Sequence, residues 1–138
     1  MKKIIIFLLI AVIPFQVKNF FVYTPRVEPP KPLDHRIKVS LTTYTIDPEQ
    51  TDSTPLETAS GFIVDSLNPR RHKIIAISWD LKRKFKFGSK VKVENAGRLN
   101  GVYVVRDLMN KRFKNKIDIL INPGDKNTML RSVLISKI

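Results

Sequence analysis

The feature that most restricts the fold is a series of short, alternating apolar segments from Arg36 to the end of the chain. Residues 37–44 and the pair Val91 and Val93 alternate apolar and polar side chains, which is typical of half-buried strands. Seven segments are predicted to be strands: RIKVSLTTYT, TASGFIV, HKIIAIS, KVKVEN, GVYVV, IDILI and SVLISKI. NPGDKNTMLR is predicted to be a turn followed by a single helical turn. Short strands at this spacing, with little helix, indicate a small all-β barrel or sandwich.

The composition limits the classes of protein and of partner. A chain of 138 residues has room for one modest domain with its own core. It contains no cysteine, so disulfides, thiolate metal sites and a lipid-modified cysteine are excluded. The net charge of +13 favours anionic partners: nucleic acid, acidic lipid head groups or an acidic polysaccharide.

The N-terminus has the character of an export signal. Met1-Lys2-Lys3 precedes the apolar run from Ile4 to Phe15, which is shorter than the roughly 20 residues that span a bilayer. Residues 1–23 are therefore expected to be either a signal peptide or a membrane anchor helix, the alternative being a buried helix of a soluble domain. The Pro-rich residues 24–35 are expected to be a linker, and residues 36–138 the folded domain.

Two carboxylates lie where two predicted strands meet one basic loop. The first strand begins at Gly101 and ends at Asp107, and the second begins beside Asp118, eleven residues later. A strand end next to a loop holds side chains rigidly and leaves them within reach of solvent. The pair is therefore a candidate functional site. For each aspartate taken alone, the alternative is a strand-end cap or a surface ion pair.

Several motifs in a fixed order resemble the three-aspartate (3D) domain. They are T-x-Y at Thr42–Tyr44, T-A-S-G at Thr58–Gly61, an apolar strand ending in Asp80, G-x-Y-x-V-x-D at Gly101–Asp107 and K-I-D-I at Lys116–Ile119. The resemblance covers roughly residues 38–137. The family is related to the C-terminal barrel of membrane-bound lytic transglycosylase A, to the stationary-phase survival and resuscitation muralytic enzymes, and to the wider group that includes rare lipoprotein A and the expansins. Leu108-Met109-Asn110 replaces the family's Thr-Gly-Gly-like turn, and Ser78-Trp79-Asp80 its Val-Asp-Pro-like step.

The resemblance implies a six-stranded double-psi β-barrel that cleaves the glycan strands of peptidoglycan without water. The three family aspartates correspond to Asp80, Asp107 and Asp118. One carboxyl group that is protonated at rest can protonate the glycosidic oxygen and then accept the proton of the C6 hydroxyl, which gives a 1,6-anhydro sugar. Asp118 is the expected acid/base, because burial in an apolar strand and the nearby Asp107 charge would raise its pKa. Asp80 is expected to bind or orient.

Six further residues are candidates for substrate binding. Tyr44 could stack on a sugar or hydrogen-bond an acid, and Gly61 permits close backbone approach. The full set comprises Tyr44, Thr43, Thr58, Ser60, Gly61 and Arg112. Trp79 could be a sugar platform, but core packing is the preferred interpretation. His35 and His72 are isolated, so no metal site is expected, and no cofactor is expected.

The resemblance and the composition lead to two candidate functions, and a third candidate is disfavoured. The first is a lytic transglycosylase-like enzyme of the cell envelope or periplasm that acts on peptidoglycan. The second is a non-catalytic glycan-binding module on the same barrel. A nucleic-acid-binding barrel is disfavoured by the export signal and by the lack of a strand face rich in stacking residues. The membrane is an expected partner through the N-terminal segment, and a monomer is expected.

Overall fold

The structure is a computed structural model that describes residues 35–49 and 54–138, and the main regular elements of these residues are six strands. They are β1 (Ile37–Tyr44), β2 (Ile74–Ile77), β3 (Lys90–Glu94), β4 (Gly101–Leu108), β5 (Lys116–Leu120) and β6 (Met129–Lys137). Helix in these residues is limited to three short 3₁₀ segments, Pro69–His72, Trp79–Leu81 and Gly97–Leu99. The predicted all-β class is confirmed.

The strands form a closed barrel in the order β1-β5-β2-β4-β3-β6. The pairs β1–β5 and β2–β4 are parallel, and the remaining four are antiparallel. Each parallel pair needs a crossover connection, because a tight hairpin can join only antiparallel strands. Closure leaves no unpaired sheet edge. This mixed six-stranded pairing is compatible with a double-psi barrel.

The barrel is filled by β-branched and leucine side chains that point inward from every strand. Leu41, Ile75, Val105, Ile117 and Ile135 have no exposed surface. They belong to one apolar cluster that also contains Val91 and Val93, as the alternating pattern of KVKVEN predicts. Because successive residues of a strand point to opposite faces, the residues between these core positions face outward.

Part of the outer face is buried as well, beneath the long connection from β1 to β2. Ile74 of β2 and Leu120 of β5 point away from the barrel interior and pack against Val64 of this connection. Tyr44 and Phe62 lie at the edge of this second cluster. The outer surface of β1, β5 and β2 therefore forms one wall of a covered region, and this is where the candidate site lies.

Two predictions of secondary structure were wrong. The segment TASGFIV is a tight turn, with only one isolated bridge, between Glu57 and Ile63. Within the turn, the Thr58 amide donates to the carbonyl of Phe62 and the Gly61 amide donates to the carbonyl of Thr58, while the Ser60 amide donates to the carbonyl of Arg106 in β4. Gly61 has a φ of +77°, which glycine adopts without strain. The helical turn predicted before the last strand is instead the start of β6 at Met129.

The predicted leader (residues 1–23) and nearly all of the predicted linker (residues 24–35) lie outside the described residues. In the part that is described, no helix has both the length and the apolar character needed to cross a bilayer. The first strand begins at Ile37, next to the expected start of the folded domain.

Candidate active site

Four residues form a row across four neighbouring strands on the outer face of the barrel. Thr42 of β1 is paired with Asp118 of β5, and Asp118 is paired with Ala76 of β2. Ala76 is in turn paired with Asp107 of β4, directly after an irregularity in the register. Adjacent strands are about 4.8 Å apart, so the backbones of the two aspartates are roughly 10 Å apart. Only the methyl group of Ala76 stands between them, which leaves space between the carboxylates.

The strands that carry the two aspartates are therefore not adjacent in the barrel, although they follow each other in the sequence. The segment between β4 and β5 connects strands that are not neighbours, because β2 lies between them in the barrel. Asp107 and Asp118 lie on the same face of the barrel because β2 pairs with both of their strands. Residue Ala76 of β2, which the sequence does not mark, is 4% exposed and forms the floor between the two acids.

Asp118 is placed so that its neutral form is favoured. Burial raises its pKa from the ordinary 3.8 to about 6, and the negative charge of Asp107 adds to the rise. A hydrogen bond from the Thr42 hydroxyl and the charge of Lys116 act in the opposite direction without cancelling the effect of burial. Its Oδ1 atom is buried and accepts no hydrogen bond from any described residue. A carboxyl oxygen without a donor is free to carry a proton.

Asp107 is held by three donors, in contrast to Asp118. Oδ2 accepts a hydrogen bond of 3.0 Å from the Tyr44 hydroxyl. Oδ1 accepts hydrogen bonds of 2.9 Å from the backbone amides of Ala59 and Leu108. Three donors fix the orientation of a carboxylate. The two acids thus have different surroundings: both oxygens of Asp107 accept hydrogen bonds, whereas Oδ1 of Asp118 accepts none from the described residues.

Tyr44 supplies a donor that stays protonated. Burial raises the pKa of its hydroxyl well above 10, and the nearby charge of Asp107 raises it further. The hydroxyl therefore does not ionise at physiological pH, and its hydrogen bond to Asp107 persists. This agrees with the sequence-based suggestion that Tyr44 hydrogen-bonds an acid.

A cleft of about 600 Å³ opens above this row. Its floor contains Ala76, Asp107 and Asp118, and one side is formed by the β1–β2 connection, including Glu57 and Thr58. The other side is formed by Leu108 at the end of β4 and by residues that follow β2 and β4, namely Trp79, Met109, Asn110, Arg112 and Phe113. The volume is of the size that small-molecule and oligomer subsites have in enzymes.

Asp80, the third aspartate of the motif, is not among the residues that line the cleft. It is exposed and belongs to the 3₁₀ segment after β2, where its Oδ2 accepts a hydrogen bond of 2.9 Å from the Asn115 amide. Burial would raise its pKa, but hydrogen bonds from Ser78 and Asn115 and the charge of Lys114 lower it overall. Asp80 therefore fixes the basic segment between β4 and β5 at the point where it enters β5.

The predicted binding residues divide into two groups. Tyr44, Thr58 and Arg112 line the cleft. Thr43 points the other way and accepts a hydrogen bond of 2.9 Å from the Thr128 amide. Ser60 and Gly61 belong to the turn beside the cleft, where the Ser60 hydroxyl lies 3.1 Å from that of Thr58.

Trp79 is at the cleft and not in the core, so the preferred interpretation of core packing was wrong. Its side chain is 39% exposed, and its Nε1 donates a hydrogen bond of 3.0 Å to the carbonyl of Met109. β2 ends at Ile77, and the 3₁₀ turn that follows directs Trp79 outward. The polar and basic residues that follow Trp79 in the sequence could have indicated its exposed position.

The described residues contain no group of three or more His, Cys, Asp or Glu side chains that could hold a metal ion. His72 has a structural role, because its Nε2 accepts a hydrogen bond of 3.1 Å from the Asp65 amide and its ring packs edge-on against Phe62.

Comparison with models of known protein families gives no match for this chain, and no curated protein matches it either.

Proposed function

We propose that this protein is a lytic transglycosylase-like enzyme that cleaves peptidoglycan glycan strands and produces 1,6-anhydro sugars. The observation that carries the proposal is the environment of Asp118, a carboxyl group with one unpaired oxygen and a pKa of about 6 at the floor of an open cleft. A group with this pKa is still protonated in about a tenth of the molecules at pH 7, far more than an ordinary aspartate, and can serve as both acid and base.

The reaction needs one carboxyl group to act twice. Asp118 first donates its proton to the glycosidic oxygen as the bond to C1 breaks. The resulting carboxylate then accepts the proton of the C6 hydroxyl, whose oxygen forms the new bond to C1. The proton count of Asp118 is restored, and no water enters the products. Asp107 does not transfer a proton in this scheme, and its three hydrogen bonds hold its carboxylate in one orientation.

Asp107 has two roles in this proposal. Its negative charge, on the other side of Ala76, contributes to the raised pKa of Asp118. It also stabilises the positive charge that develops at C1 as the glycosidic bond breaks, since a preorganised charge acts strongly in a partly water-excluded site. Asp80 acts indirectly, by holding the Asn115 backbone and hence the start of β5, which carries Asp118.

The family assignment is part of the same proposal. The order of the motifs, the closed barrel of six strands with two parallel pairs, and the meeting of Asp107 and Asp118 above one floor residue support a three-aspartate double-psi barrel. Such an enzyme would act in the cell envelope or periplasm. Its N-terminal segment would serve as an export signal or as an anchor to the inner membrane, and it would act as a monomer without a cofactor.

The alternative is a non-catalytic module that binds cell-wall glycan. The observation in its favour is that both oxygens of Asp107 are already engaged by the protein, as expected for a residue that stabilises the fold. An exposed tryptophan beside a cleft is also suited to holding a sugar without cleaving it.

Product analysis separates the two functions. Purified peptidoglycan is incubated with the full-length protein in mild detergent, and the soluble products are analysed by mass spectrometry. Muropeptides 18 Da lighter than the hydrolysis products, as expected for 1,6-anhydro sugars, support the enzyme. Binding to the insoluble glycan without any soluble product supports the module, and products with a free reducing end would show hydrolysis instead.

A further inference from the structure

The basic segments that follow β2 and β4 come together on one surface beside the cleft. Residues 79–87 and 110–116 contain eight basic residues and a single acid, Asp80. Asp80 ties the two segments together, because its Oδ2 accepts a hydrogen bond of 2.9 Å from the Asn115 amide. The ammonium groups of Lys82, from the first segment, and Lys111, from the second, lie 4.8 and 5.0 Å from the centre of the same Trp79 ring. We call the exposed residues of segments 79–87 and 110–116 the basic face.

The positive charge of the basic face is not balanced by the protein. Seven of its eight basic residues are exposed. The ion pairs found in residues 35–49 and 54–138 lie elsewhere, for example between Arg70 and Asp125. The charge of Lys114 acts on Asp80, and this single acid cannot offset the other cations. A concentration of positive charge without carboxylates attracts an anionic partner.

The basic face also exposes two aromatic rings. Trp79 is 39% exposed and Phe87 is 37% exposed, whereas Phe85, two residues before Phe87, is 2% exposed in the barrel core. The Lys82 ammonium lies 5.5 Å from the centre of the Phe87 ring as well as close to Trp79, so the two rings are neighbours. Aromatic rings among long basic side chains are typical of protein surfaces at the boundary of a bilayer.

The barrel holds the first segment of the basic face in place. Leu81 and Phe85 belong to the apolar core, and the Phe85 amide donates a hydrogen bond of 3.0 Å to the Leu81 carbonyl. Directly after the segment, the Gly88 amide donates a hydrogen bond of 2.8 Å to the carbonyl of Val105 in β4. The exposed rings and cations between these anchors therefore do not depend on a ligand for their position.

We propose that the basic face docks on the surface of a membrane that contains anionic lipids. Its ammonium and guanidinium groups bind the lipid phosphates, and the exposed edges of Trp79 and Phe87 lie at the level of the head groups. Several cations next to an anionic bilayer give additive attraction, and the rings add apolar contact with the interface. A soluble polyanion would use the cations alone and leave both rings without an apolar partner.

This contact is separate from the predicted N-terminal leader and goes beyond the proposed chemistry, on which it does not depend. Trp79 and Arg112 line the cleft as well as belonging to the basic face. Docking of the basic face would therefore hold the mouth of the cleft beside the membrane surface.

Trp79 is the sole tryptophan of the chain and reports on the contact directly. The full-length protein is reconstituted in vesicles of phosphatidylcholine and in vesicles in which part of this lipid is replaced by phosphatidylglycerol. Both contain the same fraction of phosphatidylcholine with acyl chains brominated near the head group, which quench a nearby indole. We expect quenching to be at least roughly twofold stronger with phosphatidylglycerol and to weaken as salt screens the charges. Equal quenching in both kinds of vesicle, or none in either, would overturn the inference.

A pair of double variants separates the basic face from general attraction by net charge. Lys82→Gln with Lys111→Gln should remove at least half of the additional quenching by phosphatidylglycerol vesicles. Lys38→Gln with Lys90→Gln removes the same charge from exposed positions on β1 and β3 and should leave it unchanged. Each variant is normalised to its own fluorescence in vesicles without bromine, because substitutions beside Trp79 alter its emission. Equal loss in both double variants would overturn the assignment to the basic face.

Soluble anions distinguish a membrane from other anionic partners. In vesicles without bromine, phosphatidylglycerol should shift the emission of Trp79 to shorter wavelength as the ring enters the interface. Glycerol phosphate and polyphosphate are added to the protein in phosphatidylcholine vesicles at the same phosphate concentration and should not produce this shift. An equal shift with glycerol phosphate would show a site for free phosphate, and an equal shift with polyphosphate a surface for soluble polyanions. Either result would overturn the membrane assignment.

Discussion

The Tyr44 hydroxyl donates a 3.0 Å hydrogen bond to Oδ2 of Asp107 and thereby joins two strands that are not neighbours in the barrel. Tyr44 ends β1, and Asp107 lies near the end of β4, three positions away in the closed order of six strands. The bond passes over β5 and β2, which carry Asp118 and Ala76. It fixes Asp107 relative to the acid that we propose as the proton donor, independently of any ligand.

Loss of this hydrogen bond should reduce activity more than stability. Tyr44→Phe leaves the ring in place and removes one of the three donors to Asp107, at a cost of about 1 kcal/mol of unfolding free energy. We expect the rate of 1,6-anhydro product release to fall roughly tenfold, because a displaced Asp107 no longer orients its charge toward the reacting sugar. The measurements are product release and a thermal melt.

Tyr103→Phe is the matched control for this variant. The Tyr103 hydroxyl donates a hydrogen bond of 2.9 Å to the Leu99 carbonyl within the core and does not line the cleft. Its loss should lower stability by a similar amount and leave the rate unchanged. If both variants lose activity in proportion to their loss of stability, Tyr44 has only a structural role.

Removal of the transferable proton should abolish most of the activity. Asp118→Asn keeps the size of the side chain and cannot donate or accept a proton in the reaction, so we expect a decrease of roughly two to four orders of magnitude. Asp107→Asn should decrease activity by less, because Asp107 acts as a charge and not as a proton carrier. The double variant should be little worse than Asp118→Asn alone, since residues that act as a unit are not additive.

Release of anhydro products at the wild-type rate by a correctly folded Asp118→Asn variant would disprove the assignment. A thermal melt of each variant is needed beside the rate, so that loss of the fold is not taken for loss of chemistry. Asp80→Asn is a useful third comparison. Asp80 does not line the cleft, so its replacement should act through the position of β5 and have the smallest effect of the three.

The folded domain should not need the N-terminal segment. A variant that begins at Leu33 keeps every residue of the six strands and of the apolar clusters. We expect it to unfold in a single cooperative transition and to keep its activity on soluble peptidoglycan fragments. An insoluble product, or one without a cooperative melt, would show that residues 1–32 contribute to the fold.

The strands could be predicted from the sequence because their signal is local. The alternation from Ile37 to Tyr44 and the run Ile74–Ile77 correspond directly to β1 and β2. The segment around Thr58 has the same composition as a strand, but it folds into a turn closed by hydrogen bonds among Thr58, Gly61 and Phe62. A propensity argument does not detect this. Length and apolar content therefore predicted six of the seven strands correctly and predicted a seventh strand where the structure has a turn.

The site could be predicted only in part, because its geometry depends on pairing between distant segments. Asp107 and Asp118 were found through motif order, but nothing local to Ala76 shows that it lies between them. Likewise Trp79 follows an apolar strand, and this favoured a core position. The end of β2 at Ile77 and the 3₁₀ turn after it place Trp79 at the cleft. Burial of Asp118 was predictable from the apolar residues on both sides of it in β5.

The unusual pKa of Asp118 should be visible in the stability of the protein as a function of pH. Its folded-state pKa of about 6 is higher than the ordinary 3.8 of the unfolded chain, so the folded state binds the proton more tightly. The contribution of Asp118 to the free energy of unfolding is therefore largest at low pH. It decreases as the pH rises from about 4 to about 6 and stays constant above that range. At about 1.4 kcal/mol per pKa unit, the total loss approaches ~3 kcal/mol.

Asp118→Asn cannot ionise and should lack this loss. The unfolding free energy of the variant minus that of the wild type should therefore increase by about 2 kcal/mol between pH 4.5 and pH 7.5, because part of the wild-type loss has already occurred at pH 4.5. Denaturant melts of both proteins at several pH values give this difference, and all other ionisable groups cancel in it. A difference that does not change with pH would show that Asp118 ionises as readily in the folded protein as in the unfolded chain.

The activity of the wild type should depend on the same ionisation. The first step requires protonated Asp118, so the rate of 1,6-anhydro product release should be constant well below pH 6 and should decrease tenfold per pH unit above it. Asp107→Asn should move this midpoint only slightly to lower pH, because burial is the main cause of the raised pKa and the Asp107 charge is a smaller one. A rate that instead increases as the pH rises through 6 would show that ionised Asp118 is the active form, as in a base or a nucleophile, and would contradict the proposed first step.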